Sequence, residues 1–300
     1  AKEALEEAKK IGFPIMIKAS SGGGGKGMRV SESEADFEEN FNTAQRESIN
    51  SFADDTMYLE RYVGRPRHVE VQILGDKFGE RDCSIQRRHQ KMIEESPCCA
   101  ITKEIRKKMG ETAVRAAKAV GYESAGTIEF LLSETGEFFF MEMNTRIQVE
   151  HPVTEFVSGV DLIKEQIRIS AGLPISVKQE EIQVKGHAIE CRINAENPKK
   201  NFMPCPGKIE NLYLPGGNGV RIDTAVYSGY QIPPNYDSMI MKVIVYDKDR
   251  ESAIAKMRST LGEVVIEGVQ TNLDFQYDIL NQKDFLEGNV TTHFIEEHYE

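Results

Sequence analysis

Residues 15–30 read Ile15-Met16-Ile17-Lys18-Ala19-Ser20-Ser21-Gly22-Gly23-Gly24-Gly25-Lys26-Gly27-Met28-Arg29-Val30. An apolar strand, a glycine loop and a returning strand follow one another with no helix between them. Backbone without side chains can wrap phosphate oxygens and donate amide N–H groups to them, with Lys18 as a point charge at the strand end. Glycine runs also serve as linkers, but strands this close on both sides weaken that reading. Two phosphate motifs fail here. The P-loop needs Ser or Thr where Gly27 follows Lys26, and the dinucleotide fingerprint needs a helix where Met28-Arg29-Val30 reads as strand. A loop between two antiparallel strands, folding over a nucleotide, is the phosphate-binding arrangement that remains.

Upstream, Ala1 to Ile11 has amphipathic helical spacing and stops at Gly12-Phe13-Pro14. Downstream, Glu32 to Ser48 reads as a helix capped by Ser31 or Ser33. His68 to Leu74 alternates strictly and predicts a strand with one buried face, followed by a turn over Gly75 to Gly79. Lys103 to Val120 is helical and ends at Gly121. Gly126 to Leu132 and Glu137 to Met143 form a hairpin around Ser133-Glu134-Thr135-Gly136. A helix over Leu162 to Ala171, short strands around Ala188 to Ile193 and Met239 to Tyr246, and a helix over Arg250 to Leu261 complete an α+β pattern.

Lys and Arg number 37 against 48 Asp and Glu in 300 residues, a net charge of -11. That balance argues against nucleic acid or an anionic membrane as the main partner, so an anionic substrate needs a local basic patch. No apolar run is long enough to span a bilayer and no leader is evident, which predicts a cytoplasmic protein, or one of an organellar matrix in a eukaryote. The five cysteines, Cys83, Cys98, Cys99, Cys191 and Cys205, contain no C-x-x-C pair and read as free thiols.

Glu129 and Glu142 lie on the two strands of the hairpin among apolar neighbours, where carboxylates are costly unless a cation meets them. Cross-strand register can bring them together, with Asn144 adding a neutral oxygen, as a Mg²⁺ site requires. Two acids on the wet face of a hairpin would give the same pattern. In the loop that follows, Arg146 can grip a small oxyanion and Glu150 is a candidate base. Asp82 to Lys91 supplies a basic patch, although a charge run by itself reads as a solvated face.

Taken together, Ile17-Lys18-Ala19-Ser20 with the glycine loop, Arg67-His68-Val69-Glu70, Arg81 to Lys91, Glu142 to Pro152 (E-M-N-T-R-I-Q-V-E-H-P) and Gly186 to Ala195 (G-H-A-I-E-C-R-I-N-A) resemble the biotin carboxylase family. The resemblance covers nearly the whole chain and implies an ATP-grasp fold. Residues 1–61 would be the glycine-loop lid, and 62–300 the mainly antiparallel catalytic core with the family's C-terminal region. It implies ligase activity that carboxylates biotin on a carrier protein with ATP and bicarbonate, through carboxyphosphate, with Mg²⁺ or Mn²⁺.

Carried over by position, Lys18, His68, Gln86 and His89 would contact ATP, as would Gly22, Gly23, Gly24, Gly25 and Gly27 of the loop. Glu60, Arg61 and Val63 match the adenine hinge. Glu129 and Glu142 match ATP and metal positions, with Asn144 a third metal position. Lys91, Arg146, Gln148, Val149 and Glu150 match the bicarbonate pocket, and Arg192 the arginine beside the biotin ureido group. Implied partners are a biotin carboxyl carrier protein or domain, a carboxyltransferase and a second copy in a homodimer. The parent system would be acetyl-CoA carboxylase of fatty acid biosynthesis, or a pyruvate or other acyl-CoA carboxylase.

Two departures stand out. The family's N-terminal α/β domain, with a further ATP-contacting lysine, has no counterpart, so weak or absent activity is expected of this chain alone. A short apolar strand before Glu80-Arg81-Asp82 is also missing, which predicts a shortened hairpin partner for Val69 to Leu74 and a less secure placing of Gln86, His89 and Lys91. Other readings of the same residues are an ATP-grasp ligase joining a carboxylate to an amine, or a non-catalytic nucleotide-binding module.

Overall fold

The computed structural model describes residues 1–21, 27–74 and 77–299, the side chains of residues 77–79 excepted. Two compact units divide the chain, Ala1–Gly64 and Arg65–Glu300. In the first, α1 (Lys2–Ile11), β1 (Ile15–Ala19), β2 (Met28–Ser31), α2 (Glu34–Phe52) and β3 (Met57–Arg61) build an antiparallel sheet in the order β2-β1-β3 with two helices. Alternation in β1 sends Ile15 and Ile17 into a core with Ala8, Phe37, Phe41 and Ala44. α2 starts at Glu34, two residues later than the pattern predicts. Asp36 Oδ1 accepts from the Ser33 backbone N–H at 2.9 Å and so holds Ser33 at the N-cap.

The second unit begins with β4 (Arg67–Leu74), β5 (Lys77–Arg87), β6 (Gln90–Ser96), α3 (Lys103–Ala119), β7 (Ala125–Leu132), β8 (Phe138–Asn144), α4 (His151–Ser158), α5 (Leu162–Ser170) and β9 (His187–Asn194). It continues with β10 (Glu196–Asn197), β11 (Met203–Pro204), β12 (Asn211–Tyr213), β13 (Val220–Thr224), β14 (Met239–Asp247), α6 (Arg250–Glu263) and β15 (Val265–Glu267). Three short helices, α7 (Leu273–Ile279), α8 (Lys283–Glu287) and α9 (Phe294–Tyr299), close it. Eight strands form an antiparallel sheet in the order β13-β14-β9-β6-β5-β4-β7-β8.

Period-two alternation divides this sheet chemically. Val69, Val71 and Ile73 of β4 and Ile128 and Phe130 of β7 pack with Met109, Ala113 and Ala117 of α3. Ile189, Cys191 and Ile193 of β9 and Val243 and Val245 of β14 pack with Ala253, Met257 and Leu261 of α6. The alternate positions, His68, Glu70 and Gln72 on β4, Glu129 on β7 and Glu190 and Arg192 on β9, therefore share the other face. They are not wet. Residues 68–74 are buried throughout, which corrects the expectation of one buried face. Across part of that second face lies α4, whose Val153 and Val157 cluster with Ala188 and Ile244.

The predicted shortening of the β4 partner does not occur. β5 pairs with β4 from Val69↔Asp82 to Leu74↔Lys77, so every residue of Val69 to Leu74 has a partner on β5. Of the predicted turn Gly75 to Gly79, Gly75 and Asp76 lie outside the described residues, and Lys77 already belongs to β5. Asp82 to Lys91 is strand, turn and strand rather than a solvated basic face, with Asp82 to Gln86 buried. The turn residues Arg88 and His89 both have positive φ, 49° and 63°, as a two-residue hairpin turn of primed type requires.

Gly186 leads into β9 with φ +66°, and a Cβ there would lie 2.4 Å from the Asp247 carbonyl oxygen. Gly186→Ala is expected to cost about 2–3 kcal/mol through strain and that clash. A lowered urea midpoint by circular dichroism checks it; an unchanged midpoint would mean that the β9–β14 edge yields without cost.

Candidate active site

The polar face of the second unit's sheet collects its charges by register. Glu70 stands opposite Arg81 on β5 and opposite Glu129 on β7, and Glu129 stands opposite Glu142 on β8. Lys91 joins them through an irregularity. Ile85 pairs with Ile93 but Gln86 pairs with Lys91, so Met92 is an extra residue in β6. A bulge of this kind re-aims the residue beside it, and here it brings Lys91 onto the face that carries Glu70.

Three carboxylates meet the Lys91 ammonium. Its Nζ donates to Glu70 Oε2 at 2.6 Å, Glu150 Oε1 at 2.6 Å and Glu129 Oε1 at 3.1 Å. Beneath them Arg81 is wholly buried and donates to Glu70 Oε1 at 2.6 Å, Gln72 Oε1 at 2.7 Å and Thr154 Oγ1 at 2.9 Å. Its remaining nitrogen reaches Gln148 Oε1 at 3.2 Å and Thr127 Oγ1 at 3.3 Å. Glu150 Oε2 accepts from Arg192 at 2.9 Å, and Arg192 Nε donates in turn to Glu94 Oε1 at 2.6 Å.

These neighbours set the protonation. Burial alone would push the Glu70 carboxyl up, but Arg81 and then Lys91 outweigh it and hold the group down at about 2. Glu129 is likewise held well below the ordinary carboxylate range, with His68, Lys91 and Gln148 overcoming its burial. Lys91 is held well above the usual ammonium range, the surrounding carboxylates prevailing over burial. Glu129 is thus an anion beside the Lys91 cation.

His68 shows how the strand fixes a tautomer. Gln86 Nε2 donates to the Cys83 carbonyl at 2.8 Å and lies 2.7 Å from His68 Nδ1, so Nδ1 accepts and the ring proton sits on Nε2. That nitrogen is 2.9 Å from Glu129 Oε2. His68, Glu70 and Glu129 also lie close enough to share a cation, a grouping that pattern reading missed.

Asn144 sits between the hairpin acids, its Nδ2 donating to Glu129 Oε1 and Glu142 Oε1, each at 3.0 Å. Two carboxylates bridged by one amide form a set of hard oxygen donors, and the residues fit a Mg²⁺ or Mn²⁺ ion with the amide turned to present Oδ1. Glu142 is exposed and Glu129 buried, so such an ion would be reached from the Glu142 side.

The structure gathers Lys91, Gln148, Glu150, Arg192, Glu129, His68 and Gln86 into one network. Arg146 stands exposed on the same loop, donating to the Ile147 carbonyl, and Val149 contributes its carbonyl to Lys242 at 2.8 Å. His89 is on the exposed β5–β6 turn, outside that network. Glu150 is the N-cap residue of α4, so the stretch read as a loop ends as a helix start. In the first unit Lys18 Nζ lies 2.5 Å from Glu60 Oε2, across the β1–β3 pair, with Arg61 and Val63 following. Gly22, Gly23, Gly24 and Gly25 lie outside the described residues, and Gly27, next to the start of β2, has a left-handed φ of 70°. Sequence reasoning gave no role to Glu70, Arg81, Glu94 or Glu190. The available signal was Glu70 and Gln72 at two-residue spacing from His68.

Residues 1–178 match the family described as "Carbamoyl-phosphate synthase L chain, ATP binding domain", and residues 190–297 match the "Biotin carboxylase C-terminal domain". The biotin carboxylase of Haemophilus influenzae is 54% identical over 297 residues, 97% of this chain and 66% of that protein. A crystal structure of the Campylobacter jejuni biotin carboxylase in a β,γ-ATP complex superposes with TM-score 0.96 at 47% identity, covering 99% of this chain and 68% of that one. The biotin carboxylase domain dimer of Hydrogenobacter thermophilus 2-oxoglutarate carboxylase, with MgADP, ADP and bicarbonate, superposes with TM-score 0.94 at 48% identity over 99% and 67%. The chain spans about two thirds of the length of the curated relatives it matches. Among the described residues no helix is long and apolar enough to cross a membrane. With matched family regions over most of its length and this identity across nearly all of it, the chain belongs to the biotin carboxylase family, on the ATP-grasp fold.

Proposed function

We propose that the chain is the ATP-grasp core of an enzyme that uses ATP and bicarbonate to carboxylate biotin on a carrier protein, working with a carboxyltransferase and as a homodimer. The observation that carries this reading is Glu150, clamped by Lys91 at 2.6 Å and Arg192 at 2.9 Å. A carboxylate so held is a fixed proton acceptor between two cations that suit a small oxyanion. Glu150 takes the proton of bicarbonate, whose oxygen attacks the γ-phosphorus of ATP, forming the P–O bond of carboxyphosphate as ADP leaves. Lys91, Arg146 and Gln148 hold the bicarbonate, and His68 meets the phosphates. Glu129, Glu142 and Asn144 would hold Mg²⁺ or Mn²⁺, which supplies charge neutralisation at the phosphates. Carboxyphosphate releases CO2 and phosphate, phosphate accepts the biotin N–H proton, and Arg192 stabilises the resulting enolate as its nitrogen attacks CO2.

In the complete protein, Glu150→Gln is expected to lower bicarbonate-dependent ATP cleavage by about 10²–10⁴-fold, the range for loss of a positioned base. ATP affinity should change less than about threefold, since Glu150 makes no charge contact with phosphate in this scheme. ATP cleavage that persists in the variant would refute the role of Glu150. ATP cleavage stimulated by an amine rather than by biotin would favour a carboxylate–amine ligase.

A further inference from the structure

Glu94 on β6 and Glu190 on β9 are opposed in register, next to Arg192, and both are fully buried. Their oxygens are poorly served. Glu94 Oε1 accepts from Arg192, but among the described residues Glu94 Oε2 and both oxygens of Glu190 have no hydrogen-bond partner. Of the nearby cations, Arg192 is divided between Glu94 and Glu150, and Lys242 is held by the Val149 carbonyl and Asp223. Two ionised carboxylates opposite one another in a dry sheet, one with no hydrogen-bonded cation among the described residues, would repel and remain desolvated, a cost that a single shared proton removes.

We propose that Glu94 and Glu190 together carry one negative charge, and that ionised Glu94 is the positioning residue that holds the Arg192 guanidinium against Glu150. The pair lies behind the proposed biotin site, and its effect on turnover rests on that reading. Arg192 is fixed from two sides. Its backbone carbonyl accepts from Gln276 at 2.9 Å and Asn272 at 3.1 Å, and its side chain spans Glu94 and Glu150. The charged and titratable groups facing the pair are Arg192 on β9, Lys242 on β14, Lys91 on β6, Cys83 on β5 and Glu150 at the start of α4. Burial and then Glu94 push Glu190 well above the carboxylate range, so it keeps the proton. Burial, opposed by Arg192 and reinforced by Glu150, raises Glu94 to about 7. Below that pH Glu94 protonates and Arg192 loses its anionic anchor.

Infrared difference spectroscopy and pH profiles of the complete protein test both halves. Well above neutral pH, the C=O stretch of a protonated carboxyl is expected in the wild type and absent from Glu190→Gln; no such band in the wild type overturns the shared charge. Biotin-dependent ATP cleavage should fall on acidification through about 7. Glu94→Gln should lower its kcat about tenfold or more above about 7, where the wild-type carboxylate is ionised, match the acidified wild type below it and so remove that acid limb, and leave KM for ATP within about twofold, with partial rescue by Glu94→Asp. A limb that survives Glu94→Gln overturns the positioning role. Glu190→Gln, neutral like the proton-bearing side chain, should keep the limb in place; a downward shift of about one pH unit or more would mean that Glu190 was ionised and overturns the proposal. A wild type whose ATP cleavage ignores biotin counts against the proposed function, and the infrared band then decides the shared charge independently.

Discussion

Arg81→Leu is expected to destabilise the second unit by about 3–5 kcal/mol, the cost of removing one partner from a buried ion pair. The guanidinium is wholly buried, yet its donors meet Glu70, Gln72, Thr127, Gln148 and Thr154, so five side chains from β4, β7, α4 and the preceding loop share one organising group. Leucine fills part of the volume but leaves Glu70 with Lys91 as its remaining close cation and strands the amide oxygens of Gln72 and Gln148. Arg81→Lys should recover part of the loss, because a point charge can satisfy Glu70 but cannot span the fork. Urea unfolding followed by circular dichroism reads both variants, and a wild-type midpoint for Arg81→Leu would show that the network relaxes around the missing charge.

Much of this architecture was legible because local chemistry and tertiary packing agree. Ile15 to Ala19 and Met28 to Val30, the Glu129–Glu142 hairpin and the helices at Lys103 and Arg250 each follow their own periodicity into the fold. What escaped was set by pairing across the sheet. Strict alternation in His68 to Leu74 is the same whether the polar face meets water or meets Arg81 and Lys91, so burial on both sides could not be read from the strand alone. The extra residue at Met92 exists only relative to β5, and without it Lys91 would point to the other face. Glu94 and Glu190 likewise become a pair only through the β6–β9 register, since 96 positions separate them along the chain. Glu150 illustrates the converse case. Its motif named it as a base, but its place at the N-cap of α4, and hence its rigid aim, depends on Val153 and Val157 seating that helix on β9 and β14.

Lys91→Met should invert the pH dependence that this face contributes to stability. In the wild type Glu70 is held down at about 2 from its ordinary 4.5, so the folded state binds protons less readily than the unfolded chain. That contribution is complete above about 4.5 and is lost as the pH falls toward about 2. Removing the ammonium leaves Glu70, Glu129 and Glu150 facing one another, with Arg81 still on Glu70, Arg192 on Glu150 and His68 beside Glu129. Like charges at this separation cannot all stay ionised, so the folded state takes up a proton and at least one carboxyl rises above its unfolded value. A group raised in the folded state stabilises below its unfolded pKa, and that stability fades as the pH climbs through the raised one. The variant should therefore lose about 3–5 kcal/mol near neutral pH and recover part of it on mild acidification, where the wild type does not gain. In the complete protein, bicarbonate-dependent ATP cleavage should fall by about 10²–10³-fold, as when one preorganised electrostatic donor is removed. Urea midpoints measured across the acidic range decide the point. Parallel curves for variant and wild type would mean that Lys91 does not hold the three carboxylates in check, whereas convergence toward low pH would identify it as the charge that lets them sit together.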